Sequence, residues 1–259
     1  MVNQTAIVVP CFNEDHRFPM QYWRDLVHEE NGIQWFFVND GSSDKTSNLL
    51  QDLIKDSSAE VIHNPRNMGK GNSIREGFIH ALKQNSKYKS LGYMDSDGAF
   101  SKRDLFCLIG KFEELELSNK KRDAILSSRV ALAGHQINRN PSRHYIGRII
   151  ATYLTRNWVD APYDTQSGLK LFANSISFQN AIDETFKTSW FVDIEILTRI
   201  GIENGGNLSL WEEPLTSWSD VAGSKLDLKH TPKLFREIFV ARKEVSKLIK
   251  SRGLQSGSH

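Results

Sequence analysis

IQWFFVNDGSSDKT, residues 33–46, carries the reading of the fold. Ile33 to Val38 is a short run of aromatic and branched apolar side chains, interrupted only by Gln34 and closed by a Gly-Ser turn. Such a run is too short for a core helix and reads as a strand buried on both faces. Ser42, Ser43 and Asp44 can each cap the helix that Leu49, Leu50, Leu53 and Ile54 imply by their spacing. Strand, polar turn and helix make up the repeating unit of a parallel sheet, which takes its ligands at the carboxyl ends of its strands.

Outward from this segment the unit recurs. TAIVVP (5–10), AEVIHN (59–64), SLGYMDSD (90–97) and DAILSSR (123–129) read as further strands. Gly71 precedes a helix carrying Ile74, Phe78, Ile79 and Leu82, and Ser101 to Asp104 has the form of a capping box that opens another. The expectation is an α/β, Rossmann-like nucleotide-binding architecture, with a mostly parallel central sheet and helices on both faces. The second half has a different rhythm: a helix over 141–159, a loop at 160–167, a strand at GLKLF, a helix over 193–203, a strand at LSLWEEPL and a basic helix from Pro232. With no internal repeat and no linker, one domain is expected over 1–231, divided into a nucleotide half (1–129) and an acceptor half (130–231). A basic amphipathic helix (232–252) follows, then a tail (253–259) whose end reads as a cloning scar.

Composition narrows the function classes. With 259 residues, 39% apolar and 25% charged, collagen-like and disordered readings are excluded. No apolar run approaches the roughly 20 residues that span a bilayer, and the N-terminus lacks the pattern of a secretory signal, so a cytoplasmic location is expected. Two cysteines without CxxC spacing read as free thiols, and eight histidines show no HExxH pairing. The net charge of +2 hides an asymmetry: residues 225–252 hold nine Lys/Arg against three acidic residues. A run of this kind suits a solvated helix face, an anionic membrane or a nucleic acid. Leu234, Phe235, Ile238, Val245, Leu248 and Ile249 recur there at helical spacing, as in an interfacial helix or in one packed on the domain.

The chemistry gathers at strand ends. VVPCFNE ends the first strand at Asn13 and Glu14, VNDGSSDKT ends the second at Asp40, NPRNMGKG follows the third, and MDSDGAF ends the fourth at Asp95 and Asp97. Each motif alone is weak, because a DxD arises by chance and NMGKG lacks P-loop spacing. In a parallel sheet, however, all four turns meet along one edge. Two carboxylates at such an edge suit a hard divalent cation, the kind of ion that stabilises a departing diphosphate.

In this order, and joined by DTQSGLKLF (164–172), WFVDIEIL (190–197) and GSKL (223–226), the motifs resemble those of the family 2 glycosyltransferases of GT-A fold. The resemblance runs from Ala6 to about Leu226 and is closest to the dolichyl-phosphate and polyprenyl-phosphate glycosyltransferases, especially the dolichyl-phosphate glucosyltransferases. It implies an inverting hexosyl transfer from a nucleotide sugar, UDP-glucose, aided by Mg²⁺ or Mn²⁺, with no nucleic-acid partner. Pro10, Asn13, Glu14 and Asp40 correspond to the base and ribose pocket, with Asp40 accepting from the base. Lys70 lies beside that pocket or the phosphates. Asp97 goes to the metal, and Asp95 to nucleotide and metal together. Ala99 stands where mannosyl relatives carry Gln, which matches the glucosyl relatives.

For the acceptor, the resemblance assigns Arg129 and Arg143, fourteen residues apart, to a lipid phosphate, and two guanidinium forks suit that group. Lys170 can neutralise the same phosphate, while Asp164 and Asp193 are the catalytic candidates that orient acceptor or sugar. Gly147 stands where some relatives have a hydroxyl residue. Two acceptor classes stay open. A phosphate monoester is anionic near neutral pH and needs no general base, whereas a saccharide hydroxyl needs one, and Asp164 or Asp193 then has to serve. The rivals are thus a soluble family 2 enzyme extending a cell-surface glycan and a non-catalytic nucleotide-sugar-binding scaffold. A peripheral contact with the cytoplasmic, anionic membrane face fits the lipid acceptor.

Overall fold

A computed structural model describes residues 4–29, 32–156, 158, 161–220 and 231–256. Strands β1 (Thr5–Cys11), β2 (Ile33–Asn39), β3 (Glu60–His63), β4 (Ser90–Met94), β5 (Ala124–Ser128), β7 (Leu169–Ala173) and β8 (Leu210–Pro214) form a seven-stranded sheet in the order β3-β2-β1-β4-β7-β5-β8. All neighbours pair parallel except β7, which runs antiparallel between β4 and β5. A separate parallel pair joins β6 (Gln136–Asn138) to β9 (Ser217–Ser219).

The sheet's two faces bury different residues because successive side chains point to opposite sides. On β2, Trp35 and Phe37 join Ile7 and Val9 of β1 under α1 (Met20–Val27), α2 (Thr46–Ile54) and α4 (Lys102–Leu117). Phe36 and Val38 join Ala6 and Val8 under α3 (Lys70–Gln84), α6 (Ile176–Ala181) and α7 (Val192–Glu203). The same layer takes in Leu154 of α5 (Pro141–Thr155) and Ala241 and Val245 of α8 (Thr231–Ser256). Helices on both faces of a mostly parallel sheet are as expected, and so is the cap at Ser101, whose side chain accepts from Asp104 N.

Three features depart from the sequence reading. The helix from Pro141 ends at Thr155, four residues before its expected limit. GLKLF is a strand, yet it enters the sheet antiparallel. The sequence reading includes neither helices α1 and α6 nor the pair β6–β9, although α1 is amphipathic and buries Trp23, Leu26 and Val27 on one side. The GSKL motif at 223–226 lies outside the described residues.

Candidate functional site

The parallel register brings the ends of β1, β2 and β4 to one edge, since Cys11 pairs with Asn39 and Val8 with Tyr93. The turns beyond them are tied together. Asn13, at φ 50°, accepts from Ser43 N through Oδ1 at 3.0 Å, and its own N–H donates to Ser42 Oγ at 3.0 Å. Glu14 N donates to Thr46 Oγ1 at 2.7 Å, and the buried Glu14 carboxylate accepts from Arg17 at 2.6 Å. Pro10 lies one residue before the end of β1. Gly41 takes φ +65°, and a Cβ there would overlap the Arg66 backbone, so the DGSS turn packs directly on the loop before α3.

Asp40 is buried and accepts from Asn64 Nδ2 at 2.9 Å, Met68 N at 2.8 Å and Gly69 N at 2.9 Å. Its carboxylate therefore folds the NMGKG loop, with three of its acceptor positions committed to protein donors. That loop delivers Lys70, whose Nζ lies 2.6 Å from Asp95 Oδ1 and 5.4 Å from the centre of the Tyr93 ring. Burial opposes the Lys70 charge, but Asp95, Asp193 and Asp97 outweigh it and raise its pKa above the ordinary lysine value.

Asp95 N donates to Gly168 O at 2.9 Å, and a Cβ on Gly168 would overlap the Asp95 carboxylate. This is how the antiparallel β7 lays DTQSG against DSD. Burial and the neighbouring Asp95 charge push the Asp97 carboxyl above its ordinary value, with Ala99 N–H, Lys70 and Arg17 opposing. Two crowded carboxylates at one strand end are a hard oxygen donor set. Among the described residues no cluster of three or more His, Cys, Asp or Glu converges, so a divalent cation held by Asp95 and Asp97 would have to draw its other ligands from phosphate and water. Magnesium is commonly held in that way, by one or two carboxylates plus substrate phosphates, and the donor set fits.

Arg129, at the end of β5, reaches Asp164 through two parallel contacts, Nε to Oδ2 at 2.6 Å and Nη2 to Oδ1 at 2.8 Å. Arg139 Nη1 stands 3.6 Å from the same carboxylate. Glu212 of β8 accepts from Tyr163 N at 2.7 Å and Asp164 N at 2.6 Å, which fixes the loop beneath the pair. Burial pushes the Asp164 carboxyl up, but the charge and hydrogen bonds of Arg129, aided by Arg139 and Lys170, hold it well below the usual carboxylate range.

Lys170 is fully buried, with Nζ enclosed by Ser167 O, by Tyr93 Oη at 3.2 Å and by Asp193 Oδ1 at 3.3 Å. Burial lowers its pKa, with Asp193 and Asp164 opposing. Its ammonium is thus enclosed by protein groups and has no exposed surface. Asp193 also accepts from Tyr93 Oη. Glu195 turns elsewhere, accepting from Lys187 N, Thr188 N and Arg199. The two acids therefore diverge, as their spacing on α7 requires.

The structure brings Lys70, Asp95, Lys170 and Asp193 together around Tyr93, and sets Arg129 on Asp164. Asn13, Glu14 and Asp40 line the adjoining turns. Arg143 sits in α5, but its side chain lies outside the described residues. Sequence reasoning missed Tyr93, Arg139, Gly168 and Glu212. Of these only Gly168, a glycine opening a strand, carried a signal.

The model of the glycosyl transferase family 2 matches residues 6–159. A dolichyl-phosphate beta-glucosyltransferase from Trichomonas vaginalis, ALG5C, is 29% identical over 240 residues, covering 86% of this chain and 66% of that protein. The dolichyl-phosphate beta-glucosyltransferase of Saccharomyces cerevisiae is 27% identical, covering 86% of this chain and 69% of its own length. The chain thus spans about two thirds of the length of these curated relatives. Among solved structures, glucosyl-3-phosphoglycerate synthase from Mycobacterium tuberculosis, crystallised with Mn²⁺, UDP and phosphoglyceric acid, superposes with a TM-score of 0.64 at 13% identity. That likeness covers 94% of this chain and 78% of the synthase, and the fold is GT-A.

Proposed function

The chain belongs to glycosyl transferase family 2, and from that premise we propose that it moves glucose from UDP-glucose onto a polyprenyl or dolichyl phosphate, with inversion, at the cytoplasmic face of a membrane. The observation that carries the choice of acceptor is the state of the two candidate bases. Asp164 is spent on the Arg129 fork with its carboxyl held low, and Asp193 is engaged by Tyr93 and Lys170. A hydroxyl acceptor would have to give its proton to one of them, whereas a phosphate oxygen attacks without losing a proton.

In this reading the acceptor oxygen forms a bond to the anomeric carbon as the bond to the UDP oxygen breaks, and the electron pair leaves with the diphosphate. Lys70, beside Asp95, provides positive charge on the diphosphate side. Asp95 and Asp97 would hold a Mg²⁺ or Mn²⁺, whose charge would stabilise a departing diphosphate. The ribose and base lie over the turns of Asn13, Glu14 and Asp40. Arg129, which meets Asp164 through Nε and Nη2, supplies with Arg139 the cationic side that takes the acceptor phosphate, to which the family resemblance adds Arg143. The names of the relatives support the glucosyl and dolichyl-phosphate assignments, and the UDP and cation of the solved neighbour support the donor.

The test offers labelled UDP- and GDP-sugars with a short polyprenyl phosphate and, separately, with free saccharides. Label entering the organic phase from UDP-glucose is the expected result. Label on a free saccharide with none on polyprenyl phosphate refutes the acceptor assignment, and donor binding without turnover on any acceptor refutes the enzyme reading in favour of a scaffold.

A further inference from the structure

Residues 186–190, the loop that leads into α7, take their shape from side chains on three helices. Phe186 N donates to Asn72 Oδ1 of α3 at 2.9 Å. Lys187 N and Thr188 N each donate to Glu195 Oε2 of α7 at 3.0 Å. Ser189 N and Trp190 N donate to Glu237 Oε2 of α8 at 3.1 and 2.8 Å. Consecutive backbone donors are thus satisfied by side chains, and the path of the loop depends on where those acceptors stand.

The acceptor on α8 comes from farthest along the chain. That helix has two acidic residues, Glu237 and Glu244, and buries both, although it is otherwise rich in Lys and Arg. A buried carboxylate is costly unless hydrogen bonds replace its water, and Glu237, 4% exposed, finds that replacement in the loop. Glu244 reaches the same loop through Lys187 at 2.9 Å, but this lysine is half-exposed and such a pair contributes little. Glu237 is therefore the stronger tie between α8 and the loop.

The same loop presses on the NMGKG turn. A Cβ on Gly69 would lie 2.8 Å from Ser189 Oγ, and one on Gly71 would lie 2.8 Å from Thr188 O and 3.2 Å from Val192 Cβ. Glycine at both positions is what permits the approach. Between them stands Lys70, with Nζ 2.6 Å from Asp95 Oδ1, and in the same turn Met68 N and Gly69 N donate to Asp40. A line of contacts therefore runs from Glu237 through Ser189 and Thr188 to the segment that presents Lys70.

We propose that Glu237 is a positioning residue for the donor site: by fixing Ser189 and Trp190 it seats the 186–190 loop against Gly69 and Gly71, and so sets Lys70 and the turn around Asp40 for the nucleotide sugar. Its effect on the nucleotide rests on the donor reading above, whereas its effect on the turn does not. Because a misplacement of about 1 Å in a positioning group is costly, a carboxylate remote from the chemistry governs how well the donor is held.

The full chain is compared as parent, Glu237→Ala, Glu237→Gln, Glu237→Asp and Val245→Ala. In Glu237→Ala, hydrogen–deuterium exchange of the free protein is expected to quicken about tenfold or more at the Met68 and Gly69 amides. Its Mn²⁺-dependent affinity for UDP, read by calorimetry, is expected to fall about tenfold. Glu237→Gln keeps an oxygen where both N–H groups point and is expected to recover most of both. Val245→Ala loosens the packing of α8 without touching the loop, so it should lower Tm yet bind UDP as the parent does. The proposal is overturned if Glu237→Ala exchanges at Met68 and Gly69 like the parent, if Glu237→Gln is as impaired as Glu237→Ala, or if Val245→Ala weakens UDP binding equally. Should Glu237→Ala fail to fold, Glu237→Asp decides, since it keeps the charge but draws the oxygens back from the loop; parental exchange and UDP affinity in that variant overturn the proposal. A parent that binds no UDP refutes the donor reading, and the exchange result, obtained without nucleotide, still decides whether Glu237 holds the turn.

Discussion

Replacing Asp164 by Asn separates an anchoring role from a base. Asn has nearly the same volume, so no cavity forms and the effect is electrostatic. Asp164 is 4% exposed and compensates Arg129, 11% exposed, and Arg139, 10% exposed. Neutralising it breaks the Arg129 pair and weakens the counter-charge on Arg139, leaving Asp220 and, for Arg129, Asp95 to compensate them, and breaking a buried pair from one side costs about 3–5 kcal/mol. For a chain of this size each kcal/mol moves Tm by about 2 °C, so a drop of about 6–10 °C is expected at pH 7.

The pH dependence has a definite sign. The folded pKa of Asp164 is depressed, so its stabilisation is fully present above the unfolded value of about 3.9 and fades as pH falls below it toward the lower folded value. The Tm gap between parent and Asp164→Asn should hold constant from pH 7 to 5 and narrow below pH 4. Adding Arg129→Met should recover part of the loss, because it removes one of the stranded charges. Thermal unfolding followed by circular dichroism reads all of this, with transfer rates measured on the same samples. If Asp164→Asn keeps the parental Tm at pH 7 while transfer collapses and the acidic limb of its pH profile disappears, Asp164 is a general base and the argument for a phosphate acceptor is refuted.

Gly168→Ala should displace the Asp95 carboxylate by steric overlap and lower donor kcat/KM about 10- to 100-fold, the worth of one charge-assisted contact; unchanged Mn²⁺-dependent kinetics would contradict the packing. Chelation should abolish transfer, and Asp97→Ala should nearly do so while circular dichroism stays native; turnover that survives the chelator removes the cation from the mechanism. Lys170→Met should cost about 3 kcal/mol or more of stability, because the substitution strands Asp193 in the interior. A variant of parental stability whose only defect is a raised acceptor KM would instead restore Lys170 to the acceptor phosphate.

Periodicity and turn chemistry, which are local properties, made much of this protein legible from its sequence. Alternating apolar runs and capped helices specified a parallel α/β sheet, and the placing of Asn13, Asp40 and Asp95 just past strand ends specified one polar edge, since parallel strands must end on the same side. The DSD pair and the seven ordered motifs carried the family. What the sequence left open depended on distances between residues far apart in the chain. That β7 enters antiparallel, and so sets Gly168 on Asp95 and Lys170 beneath Tyr93, follows from sheet order, which a five-residue apolar run does not encode. The family resemblance implied a phosphate clamp of Arg129 and Arg143, but only the fold shows the Arg129 fork closed on Asp164. The stripe of α8 likewise allowed packing or membrane contact. Tertiary structure divided it, burying Val245 and leaving Phe235 out beside α5, because burial is decided by which neighbouring surface remains to be covered.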